Sequence, residues 1–484
     1  MSATPQSPPV DGGPVRMSAR ARALLFVLCG SIFLEGVDIS MLGVALPAIK
    51  ADLGMAPGEL QWVVSAYALA YGGFMLLGGR AADLLGRRKM FVFWLAVFVV
   101  FSGLGGLAGE GWMLITARAI TGLAAAFMTP AGLSLITSSF AEGPLRNRAL
   151  LWYAGTAAGG FSLGLVVGGL LTALGWRWVF FAPVILAVII LVMAVKLIER
   201  DEAPERVPGQ KYDVFGAVTM TLGAVGLVYT VVVAPEVPVS ETVLTAVISI
   251  ALLVAFVIAE RRSAEPLVRL GIFRSASLVR ANIATVLFAG SFFGFQFIAV
   301  LYMQDLRDWT ALETGVAMLV IGIDSVLAPT LTPKLVDKFG NPKVLFVGFI
   351  GALVAYALFL DIPADANYWT AMFPTMVLLG LAFTLVYGPL TIVAVEGVDD
   401  EEQGLAGGIW NTSFQFGAAL GLALAASLSV AAGTAEGGLL EGFHSALMVP
   451  VIATAAAVVV VATGLFGKKP AVEPVAEPAA QPAG

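Results

Sequence analysis

"GGRAADLLGRRKMF", residues 78–91, places four cations and one acid within ten positions: Arg80, Asp83, Arg87, Arg88 and Lys89. The chain around it is 59% hydrophobic and only 12% charged, whereas ordinary soluble domains carry about 25% charged residues. Apolar runs flank the passage on both sides and recur along the whole length. Each is long enough to cross a hydrocarbon core of about 30 Å. A charge cluster in such a chain marks a short loop between spans. The sequence therefore reads as an all-α polytopic membrane protein.

Fourteen spans are predicted, over 23–48, 60–79, 90–108, 112–138, 149–172, 177–197, 213–233, 242–260, 281–304, 313–332, 343–361, 368–394, 404–430 and 444–466. With a cytoplasmic N-terminus, 23 of the 27 Lys and Arg fall on the cytoplasmic side. Lys50, Arg177 and Arg307 lie outside, and Arg118 lies within a span. That asymmetry is what the positive-inside rule requires. An odd number of spans would put Arg261, Arg262 and Arg269 on the wrong side.

The opening passage has a second copy. "PKLVDKFGNPK" (333–343) aligns without gaps on "GRAADLLGRRK" (79–89), pairing Arg80 with Lys334, Asp83 with Asp337, Gly86 with Gly340 and Lys89 with Lys343. Each copy lies between the second and third span of a six-helix set, the signature of an internal repeat. The offset is 254 residues, roughly 60 more than a six-helix half and its connections need, which is room for two extra helices. The expected organisation is a tail (1–22), a six-helix bundle (23–198), a linker (199–279) carrying the spans 213–233 and 242–260, a second bundle (280–466) and a tail (467–484), both tails cytoplasmic. Glycines echo the repeat: Gly160, Gly164, Gly168 and Gly169 in the fifth span, Gly417 and Gly421 in the thirteenth. A glycine every fourth residue gives a helix one flat face for close packing.

Other features exclude whole classes. Cys29 and His444 are the only residues of their types, so no intramolecular disulfide and none of the usual zinc constellations can form. The formal charge of −6 argues against nucleic acid as a partner. No Walker A loop is present. The first apolar run carries Glu35 and Asp38 and is too long for a cleavable signal, so it reads as a retained helix.

Gly79-x-x-x-Asp83-x-x-Gly86-Arg87-Arg88-Lys89 resembles the signature loop of the major facilitator superfamily. "DISMLGVALPAI" (38–49) resembles the first-helix motif of that superfamily's fourteen-helix drug:proton antiporter branch, and "LITARAITGLAAA" (114–126) its fourth-helix motif. "EGPLRNRAL" (142–150), "WRWVFF" (176–181) and "GLAGGIWNTSFQFGAALG" (404–421) match as well. Two features depart from the pattern: Leu165 follows Gly164 where the antiporter motif has proline, and Glu35 has no place in it. The resemblance implies two six-helix bundles with two inserted helices. It implies that Arg118 takes part in proton coupling, holding a carboxylate or water by its forked donors. It also implies a conformational latch at the loops. There Asp83 would accept from helix N-terminal amides and Arg87 would pair across the halves, with Gly79, Gly86, Arg88, Asp337 and Gly340 completing the device.

Charges inside spans are costly, about 2.5–3.5 kcal/mol even on the lenient insertion scale, so they mark function. Glu35 and Asp38 stand three apart on one helix face, where a carboxyl can hold either a proton or a cation. The alternative for Glu35 is an acid hydrogen-bonded to a polar neighbour, and for Arg118 a side chain snorkelling outward. Asp324 is expected mid-span in the tenth helix, facing substrate, with Glu35 contributing to the same site. Asp305, Arg307 and Asp308 read as a solvated outer loop. The expected function is proton-coupled export of amphipathic, cationic drugs or antibiotics from the cell membrane. It would be carried out by a monomer that is not an enzyme and needs no cofactor or metal beyond the proton gradient. Export of lipids or endogenous metabolites is the alternative, and a channel or receptor the third reading.

Overall fold

The computed structural model describes residues 17–140, 144–199, 214–234, 237–263, 266, 268–396, 398, 402–433 and 438–465. The two tails, 1–16 and 466–484, and most of the stretch before the seventh helix lie outside the described residues. Among the described residues every regular element is helical. Lipid offers no partner for backbone N–H and C=O groups, so a spanning segment must satisfy them within itself.

The long helices are α1 (Ala19–Leu53), α2 (Trp62–Leu85), α3 (Arg87–Gly106), α4 (Gly111–Ser139), α5 (Pro144–Leu174), α6 (Trp178–Leu197), α7 (Val214–Val233), α8 (Val239–Arg262) and α9 (Ala276–Leu301). The tenth, α10, comes in two pieces, Ala311–Met318 and Asp324–Phe339, joined by a tighter 3-10 segment, Leu319–Ile323. Then follow α11 (Asn341–Leu360), α12 (Phe373–Val395), α13 (Gln403–Gly433) and α14 (Gly438–Leu465). By length and composition 13 helices among the described residues can cross a membrane, while α7 offers the shorter apolar stretch Val218–Val231. Fourteen helices therefore stand where fourteen spans are predicted. Several outrun those spans: α1 has 35 residues, about 52 Å at 1.5 Å per residue, so its ends project beyond any hydrocarbon core.

Local signals set the ends. Ser18 caps α1 by accepting from the Ala21 N–H at 3.1 Å. Thr310 and Glu313 form a reciprocal capping box that opens α10. Gly86 and Gly340, the repeat-equivalent glycines, both adopt positive φ, 98° and 82°. Each cannot readily be another residue, because a Cβ disfavours that backbone. The two loops thus share a conformation as well as a sequence.

The repeat is visible in the packing. In the first half α5 lies on α1, with Gly160 against Phe33, Gly164 against Val37 and Gly168 against Met41. In the second half α13 lies on α9 in the same way, Gly417 against Val286 and Gly421 against Gly290. Gly169 differs: it meets Ala311 and Leu312 of α10, in the other half.

Two seams join the halves. One is α5 on α10, where Leu165 meets Gly315 and Ser162 meets Gly322. The other is α2 on α13, where Thr412 Oγ1 donates to the Gly72 carbonyl at 2.9 Å and Leu76 covers Gly408. The inserted pair sits on this second seam: α7 packs on both α2 and α13, and α8 packs on α7. Thr221 of α7 fills the space left by Gly73, and Ser427 of α13 donates to the Val231 carbonyl at 3.0 Å.

The two ends of the molecule differ. Away from the repeated loops, one apolar core takes residues from both halves, among them Ile49, Leu60, Trp176, Phe295, Phe359 and Met372. There Gln304 donates to the Val44 carbonyl at 2.9 Å, and Lys50 pairs with Asp305 at 3.0 Å. At the loop end the cores are separate, one mainly of the first half and one of the second. The bundle is sealed at the end opposite the loops. Asp305 and Arg307 correct the expectation of a solvated loop. Asp305 holds Lys50, and Arg307 donates to the Ala366 carbonyl and lies 5.3 Å from the Trp309 ring centroid.

Candidate functional site

Asp38 and Arg118 meet in the interior of the first half. Arg118 Nη1 donates to Asp38 Oδ2 at 2.5 Å, and both side chains are 2% exposed. The arginine is held from two further directions, both on α2. Its Nε donates to the Val63 carbonyl at 3.2 Å, and its guanidinium lies 4.4 Å over the Tyr67 ring. Residues 63 and 67 are one turn apart, so a single face of α2 supplies both contacts. Arg118 therefore does not snorkel outward. A buried charge pair of this kind offsets two large desolvation costs, and removing one partner leaves the other exposed to them.

Glu35, on the same face of α1, has a different environment. Thr129 Oγ1 of α4 donates to its Oε2 at 2.7 Å, and Tyr71 of α2 lies beside the same carboxyl. Hydroxyls can serve a carboxyl in either protonation state, so Glu35 can exchange a proton without breaking an ion pair. The two acids are chemically distinct sites one helical turn apart.

Asp324 is the first residue of the second piece of α10, directly after the 3-10 segment. At this change of pitch Gly322 packs closely against Ser162 of α5. Asp324 is half-buried. Tyr387 of α12 is within electrostatic range of both Asp324 and Glu35, so the acids of the two halves address one region.

Around Tyr387 the second half is aromatic. Its ring stacks on Phe383 at 5.1 Å and meets Trp410 at 5.2 Å and Phe414 at 5.6 Å. Phe383 also reaches Phe292 of α9 at 5.0 Å, and Phe161 of α5 faces Phe292 across the seam at 6.2 Å. The first half presents carboxyls and hydroxyls; the second presents rings and one carboxylate. Sequence reading missed Tyr67, Tyr71, Thr129, Tyr387, Trp410 and Phe414. The pairs 67/71, 383/387 and 410/414 at helical spacing carried the only signal, and spacing alone does not separate a lining ring from a core ring.

The repeated loops are only partly in view. The side chain of Asp83 lies outside the described residues. Arg87 is half-buried and Asp337 exposed. Arg88 works within the first half, donating to the Ile198 and Val195 carbonyls at the end of α6, at 2.8 and 2.9 Å. Arg80 Nη1 reaches the Pro266 carbonyl at 3.2 Å, tying the loop end of α2 to the connection between α8 and α9. A Cβ on Gly79 would make only an ordinary contact with Pro130 of α4, at 3.7 Å. Among the described residues no group of three or more His, Cys, Asp or Glu could hold a metal.

Comparison with known proteins agrees with this architecture. The family model described as Major Facilitator Superfamily matches residues 28–422 and again 282–483. The puromycin resistance protein of Streptomyces alboniger is 33% identical over 84% of this chain and 82% of its own length. The cephamycin export protein of Amycolatopsis lactamdurans is 34% identical over 85% and 86%. Among solved structures, an auto-inhibited POT family peptide transporter superposes with a TM-score of 0.69 at 16% identity, covering 96% of this chain and 99% of that one. At that identity the likeness concerns the fold. With its helices, its repeat and its relatives in agreement, the chain belongs to the major facilitator superfamily of membrane transporters.

Proposed function

We propose that this protein exports amphipathic drugs or antibiotics across the cell membrane in exchange for protons. The names of the relatives support export, since they resist or export puromycin and cephamycin. The observation that carries the coupling is the buried Asp38–Arg118 pair. Protonation of Asp38 discharges it and frees the arginine, which is a local event able to bias a two-state bundle. With the repeated basic loops and both tails on the cytoplasmic side, the sealed end faces outward and the molecule is in its inward-facing arrangement. The loops then act as latch when the inner end closes.

The substrate site lies between the polar half and the aromatic half. Glu35 and Asp324 favour a positive charge, and Tyr387, Trp410 and Phe414 favour a flat apolar body. One hundred millivolts contributes about 2.3 kcal/mol per net charge moved. Exchange of one proton for one neutral molecule draws on it, whereas exchange of one proton for one monovalent cation moves no net charge and is driven by the pH gradient alone. The test uses purified protein in liposomes with an imposed pH gradient. Addition of a cationic amphiphile should release protons in fixed proportion to substrate moved. Substrate movement with no proton counter-movement would overturn the coupling, and a steady ion leak without saturable substrate transport would point to a channel.

A further inference from the structure

Tyr67 is 2% exposed, yet its hydroxyl has no hydrogen-bond partner among the described residues. Buried hydroxyls are ordinarily partnered, and an exception calls for a reason. The ring cannot swing away to find one. It lies under the Arg118 guanidinium at 4.4 Å and edge-on to Tyr71 at 5.9 Å and 77°. Glu35 and Asp38 of α1 and Arg118 of α4 all lie within electrostatic range of it. On its own helix Tyr71 is the ionisable neighbour, and Tyr71 stands beside Glu35.

No hydrogen bond joins the two acids, although side chains three apart on a helix are neighbours; Asp38 is engaged by Arg118 and Glu35 by Thr129. A group that both accepts and donates can bridge them, and a phenolic hydroxyl does both.

We infer that the Tyr67 hydroxyl, with a bridging water on either side, relays protons between Glu35 and Asp38, so that the two acids work as one two-site carrier. This rests on the proton-coupled reading above and adds a residue of α2 to it. In the forward step the Glu35 carboxyl gives its proton to one water, that water gives one to the Tyr67 oxygen, the Tyr67 O–H proton passes to a second water, and the second water gives one to the Asp38 carboxylate. Tyr67 and both waters are neutral before and after. Glu35 ends as a carboxylate and Asp38 as a carboxylic acid, so the pair with Arg118 is discharged. Rotation of the hydroxyl resets the relay.

Tyr67→Phe keeps the ring that supports Arg118 and removes only the relay oxygen; Tyr67→Leu removes both. The experiment compares Tyr67→Phe, Tyr67→Leu and Asp38→Asn with the parent in liposomes. It reads the ratio of proton-coupled efflux to gradient-free substrate counterflow, each per folded molecule, with a cationic amphiphile as probe. A merely structural tyrosine would lower both fluxes together and leave the ratio alone. The expected result is a ratio at least tenfold lower in Tyr67→Phe, within the range general acid–base groups ordinarily contribute. A ratio within twofold of the parent overturns the relay. Asp38→Asn keeps the two readings apart. If it still couples protons to substrate, the proton-coupled assignment of Asp38 fails. If it is uncoupled while Tyr67→Phe retains the parent ratio, only the relay fails.

Discussion

Lys50 Nζ lies 3.0 Å from Asp305 Oδ2, joining the last turn of α1 in one half to the wide turn that ends α9 in the other. Both side chains are partly exposed, 35% and 22%, and such pairs contribute about 0–1 kcal/mol. That is too little to hold the seal alone, since a shared apolar core lies beneath it. It is enough to tune a two-state equilibrium severalfold.

Reversing either charge should therefore loosen the sealed end. Lys50→Asp and Asp305→Lys should each raise labelling of a cysteine placed at Ala311 by roughly two- to fivefold, the size expected for a partly exposed ion pair. The double exchange should return it toward the parent. Cys29 is buried, and a Cys29→Ser background removes it from the assay. Equal labelling in all variants would assign the seal to the apolar core.

A second element of the same end points the other way. Gln61, which precedes α2, and Ser65 in its first turn are fully buried, and their side-chain N and O atoms have no partner among the described residues. Further along that face, Gly72 meets Gln415 of α13, so the orphaned groups belong to an inter-half seam. Each unsatisfied group costs about 1–3 kcal/mol while the seam is closed and is hydrated when it opens. Gln61→Leu should then favour the sealed arrangement, raising the melting temperature and reducing both transport and labelling at Ala311→Cys. A lower melting temperature would mean that the amide is satisfied.

The glycine stripes predict a graded series. A Cβ on Gly164 would come 3.0 Å from Val37 Cα, and one on Gly421 would collide with the Gly290 backbone. Gly164→Val and Gly421→Val should each cost about 1–3 kcal/mol or more, as overpacking does. Gly43→Ala, with nothing within 4 Å of its Cβ, should be near neutral. Thermal unfolding in detergent orders the three, and an equal loss at Gly43 would remove the packing explanation.

The fold was legible because its signals were redundant. Apolar runs, the cationic asymmetry and the repeated loop each imply fourteen helices, and Gly86 and Gly340 even share a backbone conformation. The acids inside spans were legible for the same reason, since charge in an apolar run stands out. Their partners were not. Arg118 and Asp38 are 80 residues apart, and nothing local says that Val63 and Tyr67 complete the arginine's cradle. Lys50 and Asp305 looked like ordinary loop charges because their pairing spans 255 residues. The break in α10 was hidden too, because a continuous apolar pattern does not record a change of helical pitch.

Asp324 gives the sharpest test of the substrate site. It stands at the start of a helical piece in the second half, and Tyr387 senses both it and Glu35 in the first. A cation held between the halves would feel both carboxylates, whereas a neutral amphiphile would depend chiefly on the aromatic wall. At an effective dielectric of about 20, two unit charges 4 Å apart attract by about 4 kcal/mol, and desolvation cancels much of that. The remainder is expected to be about 1–3 kcal/mol, which is roughly a five- to hundredfold effect on apparent affinity. Asp324→Asn should accordingly weaken export of cationic amphiphiles by about tenfold or more and leave neutral ones near the parent. Trp410→Leu should weaken both, because it removes a ring that does not distinguish them. Transport of a matched cationic and neutral pair, normalised to folded protein, separates the outcomes. An equal loss for both substrates in Asp324→Asn would place the acid on the proton path, and a loss of folded protein would make it a support of the α10 break.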